Sequence, residues 1–220
     1  MAEDALFAGI DIGSTAVRIA VGQRLPSSGD KEQVHIIGAA EVPSEGISRG
    51  VINSIEDAVS SVSACIERVE RMTGTPVGSA WVSISGSNVT LLESKGVVAV
   101  AKSDGEIRED DVDRVVDAAQ TVATPVNYEI IHVIPKAFTV DGQKGIKDPV
   151  SMNGLRLEVD AQIIQGLSSH IKNLTKCVYR TGVNIARLVL GVLATAEVVP
   201  SARQKELGVM LLDIGGGTAS

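Results

Sequence analysis

Two aspartates in this chain sit in the same local setting. Asp11 lies in Gly9-Ile10-Asp11-Ile12-Gly13-Ser14-Thr15, and Asp213 in Leu212-Asp213-Ile214-Gly215-Gly216-Gly217-Thr218, about 200 residues apart. Each follows an apolar run, Ala5–Ile10 in the first case and Val209–Leu212 in the second, so each Asp-Ile-Gly reads as the tip of a buried strand entering a glycine turn. Glycine there allows positive φ and lets backbone N–H groups approach an anion, which makes such a loop a phosphate cradle. A carboxylate at the strand end can hold the water shell of a magnesium ion beside that phosphate. Gly13, Ser14, Thr15, Gly215, Gly216, Gly217 and Thr218 are therefore the candidate phosphate-binding residues, and Asp11 and Asp213 the candidate metal residues. One such loop is common in hairpins whose aspartate merely faces solvent. Two copies argue for a two-lobed clamp on a nucleotide. The second loop stops three residues after its last glycine, and a longer protein is expected from that.

No other residues assemble a reaction centre, and none is assigned a catalytic role. His132 and His170 have no carboxylate or cysteine at ligand spacing; His132 is expected in or beside a sheet and His170 at a helix start. Ser83-Ile84-Ser85-Gly86 lacks the first glycine of a hydrolase nucleophile elbow. Cys65 and Cys177 lie in helical patterns among small or apolar neighbours and read as reduced core thiols, since a stapled or zinc-bound framework needs more of them at close spacing. Trp81, in a strand of small and apolar residues, reads as core.

Composition narrows the class further. Of 220 residues 44% are apolar, with only two Phe, two Tyr and one Trp, so the core is aliphatic, as buried strands covered by helices tend to be. The formal charge is −7 and no basic cluster exceeds a pair, which argues against nucleic-acid binding. No apolar run reaches spanning length, and the N-terminus shows no basic-then-apolar signal peptide.

The elements that must position these residues follow from periodicity. Ala5–Ile12 and Ala16–Gly22 form a hairpin about the first glycine turn, Pro26–Asp30 is a solvated loop, and Val34–Val42 is a third strand. Ser54–Met72 is a helix with Ile55, Val59, Val62, Ile66, Val69 and Met72 on one face, capped by Ser54 with Asp57 and ended by Gly74 and Pro76. Ala80–Ser85 is a strand. From about residue 86 the character changes: Val89–Ala101 is strand-like, Glu109–Ala123 a short acidic helix, and Glu129–Val140 a strand interrupted at Pro135, implying an edge or a bulge. Leu155–Ile164 alternates Leu155, Leu157, Val159 and Ala161 with Arg156, Glu158 and Asp160, a half-exposed strand. Residues 86–165 are thus expected as an insertion of their own, standing off a unit made of 1–85 and 166–207. Then come a helix at Ser169–Thr181, a strand at Arg187–Gly191, a helix at Val192–Val199 and a last strand at Leu207–Asp213. The acidic run Glu106–Asp113 most simply caps and solvates a helix start, with a partner-binding face as the alternative.

Gly9–Thr15, the run His132–Asp141 with Gly145-Ile-Lys-Asp-Pro-Val150 and Met152–Arg156, and Gly208–Thr218 together resemble the FtsA family of bacterial cell-division proteins. The two glycine loops alone would match any actin-like ATPase; the middle segment is what looks specific to FtsA and its inserted SHS2-type subdomain. The resemblance implies an α/β fold: an actin-like first lobe (residues 1–85 with 166–207), the insertion (86–165), and residues 208–220 as the start of a second lobe. It implies ATP and Mg2+ as cofactors, with Asp11 orienting magnesium-bound water, Gly13, Ser14 and Thr15 facing the terminal phosphates, and Asp213 with Gly215–Thr218 as the opposing loop. The adenine contacts would come from the second lobe.

The role implied is an adaptor that self-associates into filaments on the inner face of the cell membrane at the septum. There it would anchor FtsZ through the second lobe, recruit later division proteins through the insertion, and touch the membrane only through a C-terminal amphipathic helix. Leu155–Asp160 and Glu109–Arg114 are expected on a protein-facing surface of the insertion. Two departures from the family pattern stand out. Ala219-Ser220 replaces the usual continuation of the second loop, and Leu190-Gly191-Val192-Leu193 has no polar side chain where vigorous hydrolases of the superfamily carry Gln or Glu. ATP binding with weak or absent turnover is the expectation. A pilus-assembly adaptor of the PilM type and a sugar or acetate kinase of the same superfamily are the rival readings.

Overall fold

The computed structural model describes residues 6–25, 33–86, 88–100, 104–121 and 124–220. The expected loop at Pro26–Asp30, and the expected element ends at Ala5, Ala101 and Ala123, lie outside these residues. The chain forms two compact units, one of Met1–Asn88 with Ser169–Ser220, the other of Val89–Ser168.

The first unit is built on a five-stranded sheet. Its strands are β1 (Leu6–Ile12), β2 (Ala16–Leu25), β3 (Gln33–Pro43), β6 (Ser79–Ile84) and β11 (Asn184–Leu190), in the order β11-β6-β1-β2-β3. β1 and β2 are antiparallel across the first glycine turn, with Ile12 opposite Val17, so the expected hairpin forms. β6 lies parallel to both β1 and β11. Between β3 and α1 (Ile55–Thr73) the chain makes a small hairpin of β4 (Ile47–Ser48) and β5 (Val51–Ile52), which periodicity did not reveal.

One face of this sheet is apolar and buried: Ala8, Ile10, Ile12, Val17, Ile19, Val21, Ala80, Val82 and Ile84. Helix α1 packs along β2 and β3 and buries Ala58, Val62, Cys65, Ile66 and Val69. Its ends are as expected, with Ser54 Oγ accepting from the Asp57 N–H and Gly74 in the left-handed region at φ 69. Strand alternation sends the other residues to the opposite face, and this corrects the reading of Trp81: it is 49% exposed, one residue out of phase with Ala80 and Val82. The strands looked apolar throughout because their outward positions are filled by small residues such as Gly9 and Ala20.

Helix α3 (Ser168–Tyr179) buries His170, Ile171, Leu174, Cys177 and Val178, and Arg180 just beyond it makes a two-pronged pair with Glu56 at 2.7 and 3.1 Å. Both cysteines are fully buried and unpaired, and burial pushes the Cys177 thiol up to about 11, so both are inert core groups. Burial also lowers the pKa of His170, which favours the neutral ring expected of a structural histidine.

After α4 (Gly191–Val198) and a short α5 (Ala202–Leu207), the expected strand at Leu207–Asp213 does not form. Val209, Met210 and Leu212 are exposed, and no strand among the described residues hydrogen-bonds to them. A strand is defined by its neighbour, so an apolar run without one stays irregular. α5 went unanticipated although Ser201 and Gln204 form a reciprocal cap at its start.

The second unit is a four-stranded antiparallel sheet in the order β7 (Val89–Ala99), β10 (Arg156–Leu167), β8 (Tyr128–Val140), β9 (Gln143–Ile146), with α2 (Glu109–Gln120) on one face. Among the described residues none of its strands joins the first sheet. Val115 and Ala119 of α2 pack with Leu157, Val159, Ala161, Phe138, Val140 and Ile107 in one core. Pro135 falls at a bulge, where Asp160 pairs with Ala137 and Ala161 with Pro135, and β9 reaches only Phe138 and Val140. Both anticipated consequences of that proline are present.

The charged surfaces need two corrections. Arg156, Glu158 and Asp160 alternate with Leu157 and Val159, so they face away from α2, and the two expected protein-facing segments lie on opposite sides of the sheet. Asp111, in the run expected to cap and solvate the helix start, does cap it but is fully buried; it accepts the Arg108 N–H at 3.0 Å and pairs with Arg114. It caps α2 from the inside.

Candidate functional site

β1, β6 and β11 run parallel and end together. In the sheet register Ile10 lies beside Val82 and Val82 beside Leu188, so Asp11, Ser83 and Val189 stand at one level near the carboxyl ends of the strands. Such ends are where open α/β sheets bind ligands, since strands stop there and turns expose their N–H groups. Ser83 Oγ donates to Asp11 Oδ1, and Arg18, opposite Asp11 on β2, holds Oδ2 at 3.8 Å while its Nε donates to Glu41 at 2.7 Å. Asp11 is thus aimed but remains half exposed, its side chain at 49%. Helix α4 begins at the same end, where a Cβ on Gly191 would lie 3.9 Å from the Ser83 Cβ.

The two glycine loops close by the same bond. The residue after Asp-Ile donates its N–H to a carbonyl three positions on: Gly13 to Ala16 at 3.0 Å, and Gly215 to Thr218 at 2.8 Å. The Gly13 and Gly215 N–H groups are thus both engaged inside their own turns. The tips, Ser14-Thr15 and Gly216-Gly217, hold no such bond to a backbone acceptor among the described residues.

The tips meet head on. A Cβ on Gly216 would lie 2.1 Å from Thr15 Cγ2, and one on Gly217 would lie 2.9 Å from Ser14 Oγ. None of Gly13, Gly215, Gly216 and Gly217 has positive φ, so Gly216 and Gly217 are required by close approach rather than by backbone twist. Asp213 sits just behind the second tip, exposed, its N–H and C=O both bonded to Ser220 at 2.8 Å.

The β4–β5 hairpin completes the rim. The Gly50 N–H donates to Ser14 Oγ at 2.9 Å, and a Cβ on Gly50 would lie 3.1 Å from the Gly86 Cα and 3.4 Å from Thr218 Cγ2. Residue reading missed this hairpin and Ser83. The signals were present, in Gly46 and Gly50 flanking Ile47–Arg49 and in a serine on the strand beside Asp11, but both are weak without the fold.

The fit to a magnesium-bound phosphate can be judged from these donors. Four tip residues offer N–H groups to an anion, and two carboxylates stand one on each loop. Among the described residues no group of three or more His, Cys, Asp or Glu could enclose a metal ion, so a cation here would keep most of its water, as magnesium prefers. At this end of the sheet α4 has Leu190 as its cap and no polar side chain before Thr195, whose hydroxyl donates to the Gly191 carbonyl at 3.1 Å. Among the described residues no helix is long and apolar enough to cross a membrane.

Comparison with known proteins agrees with this architecture. The model of the SHS2 domain inserted in FTSA matches residues 86–165. The cell division protein FtsA of Bacillus subtilis (strain 168) is 39% identical over 220 residues, all of this chain and 49% of the relative. FtsA of Borreliella burgdorferi is 40% identical over 213 residues, 97% of this chain and 51% of the relative. The chain therefore spans about half the length of these relatives. Among solved structures, the PilM–PilN type IV pilus biogenesis complex aligns with a TM-score of 0.51 over 84% of this chain and 47% of that one, at 13% identity, a likeness of actin-like fold alone. With both the inserted SHS2 domain and whole-chain similarity to its curated members, the chain belongs to the FtsA family of cell-division proteins.

Proposed function

We propose that these residues form the phosphate-binding side of a nucleotide site in an actin-like cell-division adaptor, one that binds ATP with Mg2+ and turns it over slowly or not at all. The observation that carries this reading is the pair of Asp-Ile-Gly loops, closed by the same internal bond and meeting tip to tip beside the ends of three parallel strands. Ser14, Thr15, Gly216, Gly217 and Thr218 would hold the phosphates through backbone N–H groups, and Asp11 and Asp213 would hold the magnesium water shell. With the tips in contact there is no room for a phosphate between them, so binding parts the loops and the bound state differs from this one by that separation. Bound nucleotide would act as a wedge that fixes the spacing of the two loops. Slow turnover follows from the apolar start of α4, which offers no group to orient an attacking water.

On family grounds the adaptor associates with itself into filaments at the division site, on the inner face of the membrane, and anchors FtsZ filaments there while recruiting later division proteins. The PilM-type alternative rests on fold likeness alone, whereas the sequence likeness is to FtsA.

Calorimetric titration of the protein at its natural full length with magnesium-ATP tests the site. Asp11→Asn and Asp213→Ala should each weaken binding about tenfold or more, the loss of one charge-assisted contact. Affinities equal to that of the unaltered protein in both variants would refute the assignment.

A further inference from the structure

The tip of the β4–β5 hairpin is Arg49-Gly50, and both residues are left-handed, at φ 51 and φ 72. Two-residue turns of this twist favour Asn-Gly or Asp-Gly, because a Cβ at positive φ crowds the backbone. A long cationic side chain in the first position is costly conformationally, and such strain gathers where function requires it.

Its surroundings are the two glycine loops. A Cβ on Gly217 would lie 3.0 Å from both the N and the Cα of Arg49, so this arginine springs from the point where the second loop tip touches the hairpin. The neighbouring Gly50 N–H holds Ser14 of the first loop, and Gly50 is backed by the Gly86 main chain. The hairpin therefore touches both loops and is braced from behind. The Arg49 side chain is exposed and has no ion pair or hydrogen bond among the described residues. Arg18, the other arginine at this rim, is already engaged by Glu41 and Asp11. A site that brings together two carboxylates and a phosphate chain needs cationic charge, and a guanidinium fork matches phosphate oxygens with paired donors.

We propose that Arg49 is a phosphate-recognising residue: the β4–β5 tip is the third wall of the cradle, and its guanidinium favours nucleoside triphosphate over diphosphate by meeting the terminal phosphate. This rests on the reading of the two loops as a phosphate site.

Titrations of the protein at its natural full length with magnesium-ATP and magnesium-ADP, for the unaltered chain and for R49Q, R49K and R49G, test it. R49Q and R49G should each lower ATP affinity about tenfold and ADP affinity less than about threefold, with R49K between R49Q and the unaltered chain. The thermal midpoint of R49G should be unchanged or raised, because glycine suits the turn, which separates lost charge from lost folding. ATP affinity like that of the unaltered protein in R49Q and R49G, or equal losses for ATP and ADP, would overturn the role of Arg49 and leave the two-loop reading standing. Failure of the unaltered protein to bind either nucleotide would overturn both.

Discussion

The contact between Gly216 and Thr15 concentrates the site into one pair of residues. The two main chains approach until a single methyl group, Thr15 Cγ2, occupies the space a Cβ on Gly216 would need. Gly216→Ala should therefore force the tips apart in the nucleotide-free protein, lowering the thermal midpoint of the full-length protein by the effect of roughly 1–2 kcal/mol of overpacking, while magnesium-ATP, whose binding parts the loops, loses little affinity. Thr15→Ser removes that methyl and keeps the hydroxyl and the N–H, so the double variant should recover most of the loss. If the two substitutions prove additive, the residues do not meet in the nucleotide-free protein. That the two Asp-Ile-Gly loops belong together was legible because the same residue types recur at the same spacing. The reason first given for the glycines, positive φ, was not the operative one, since close approach is a property of the partner loop and no single loop reveals it. Ser83 and Arg49 stayed hidden for the same reason: each acquires its role only beside a residue far away in sequence.

Between elements, what the chain encodes locally was mostly readable, the short capped helix α5 excepted, and what depends on a neighbour was not. Helix α1 could be placed to within a residue or so, because its apolar period and its Ser54 and Gly74 caps are all local. The first glycine turn gave a hairpin and the second gave a turn without its strand, although the two carry the same motif. Only Leu6–Ile12 has β2 and β6 to pair with among the described residues.

In the second unit the closest packing is between α2 and β7. A Cβ on Gly96 would lie 2.0 Å from the Val115 carbonyl oxygen and 2.9 Å from the Ala119 N, both helix backbone, while Ser94 Oγ donates to the Ala119 carbonyl at 2.7 Å. Helix and strand meet at main-chain distance because this position has no side chain. Gly96→Ala should lift the helix and cost about 1–3 kcal/mol, read as a lower urea midpoint for unfolding of this unit. A midpoint equal to that of the unaltered protein would mean that α2 is free to shift.

At the scale of the whole molecule, residues Val89–Ser168 have the attributes of an autonomous domain. They hold their own sheet, their own helix and their own buried core, and the inserted SHS2 domain of the family matches almost the same span, residues 86–165. The unit is cross-tied by its loops as well as by its strands. Ile107 exchanges backbone bonds with Met152 and Ser151 at 2.8 and 2.9 Å, Gly154 donates to the Gly105 carbonyl at 2.9 Å, and the Asp141 carboxylate accepts the Leu155 and Arg156 N–H groups at 3.0 and 2.8 Å. Part of the segment that resembles the family, Asp141 and Met152–Arg156 out of His132–Asp141, Gly145–Val150 and Met152–Arg156, thus has a structural task in this unit: it fastens the approach to β10. A domain of this size buries a smaller share of its surface than a large one, and such ties matter correspondingly more. Expressed alone, residues 86–168 should fold cooperatively, giving dispersed amide resonances and one urea transition. Asp141→Ala should lower the midpoint of that transition by an amount corresponding to about 1–2 kcal/mol, because two N–H groups lose a charged acceptor but keep access to water. An isolated unit that shows no cooperative transition would mean that its stability comes from the rest of the protein, and that the inserted segment is a part of one larger folding unit.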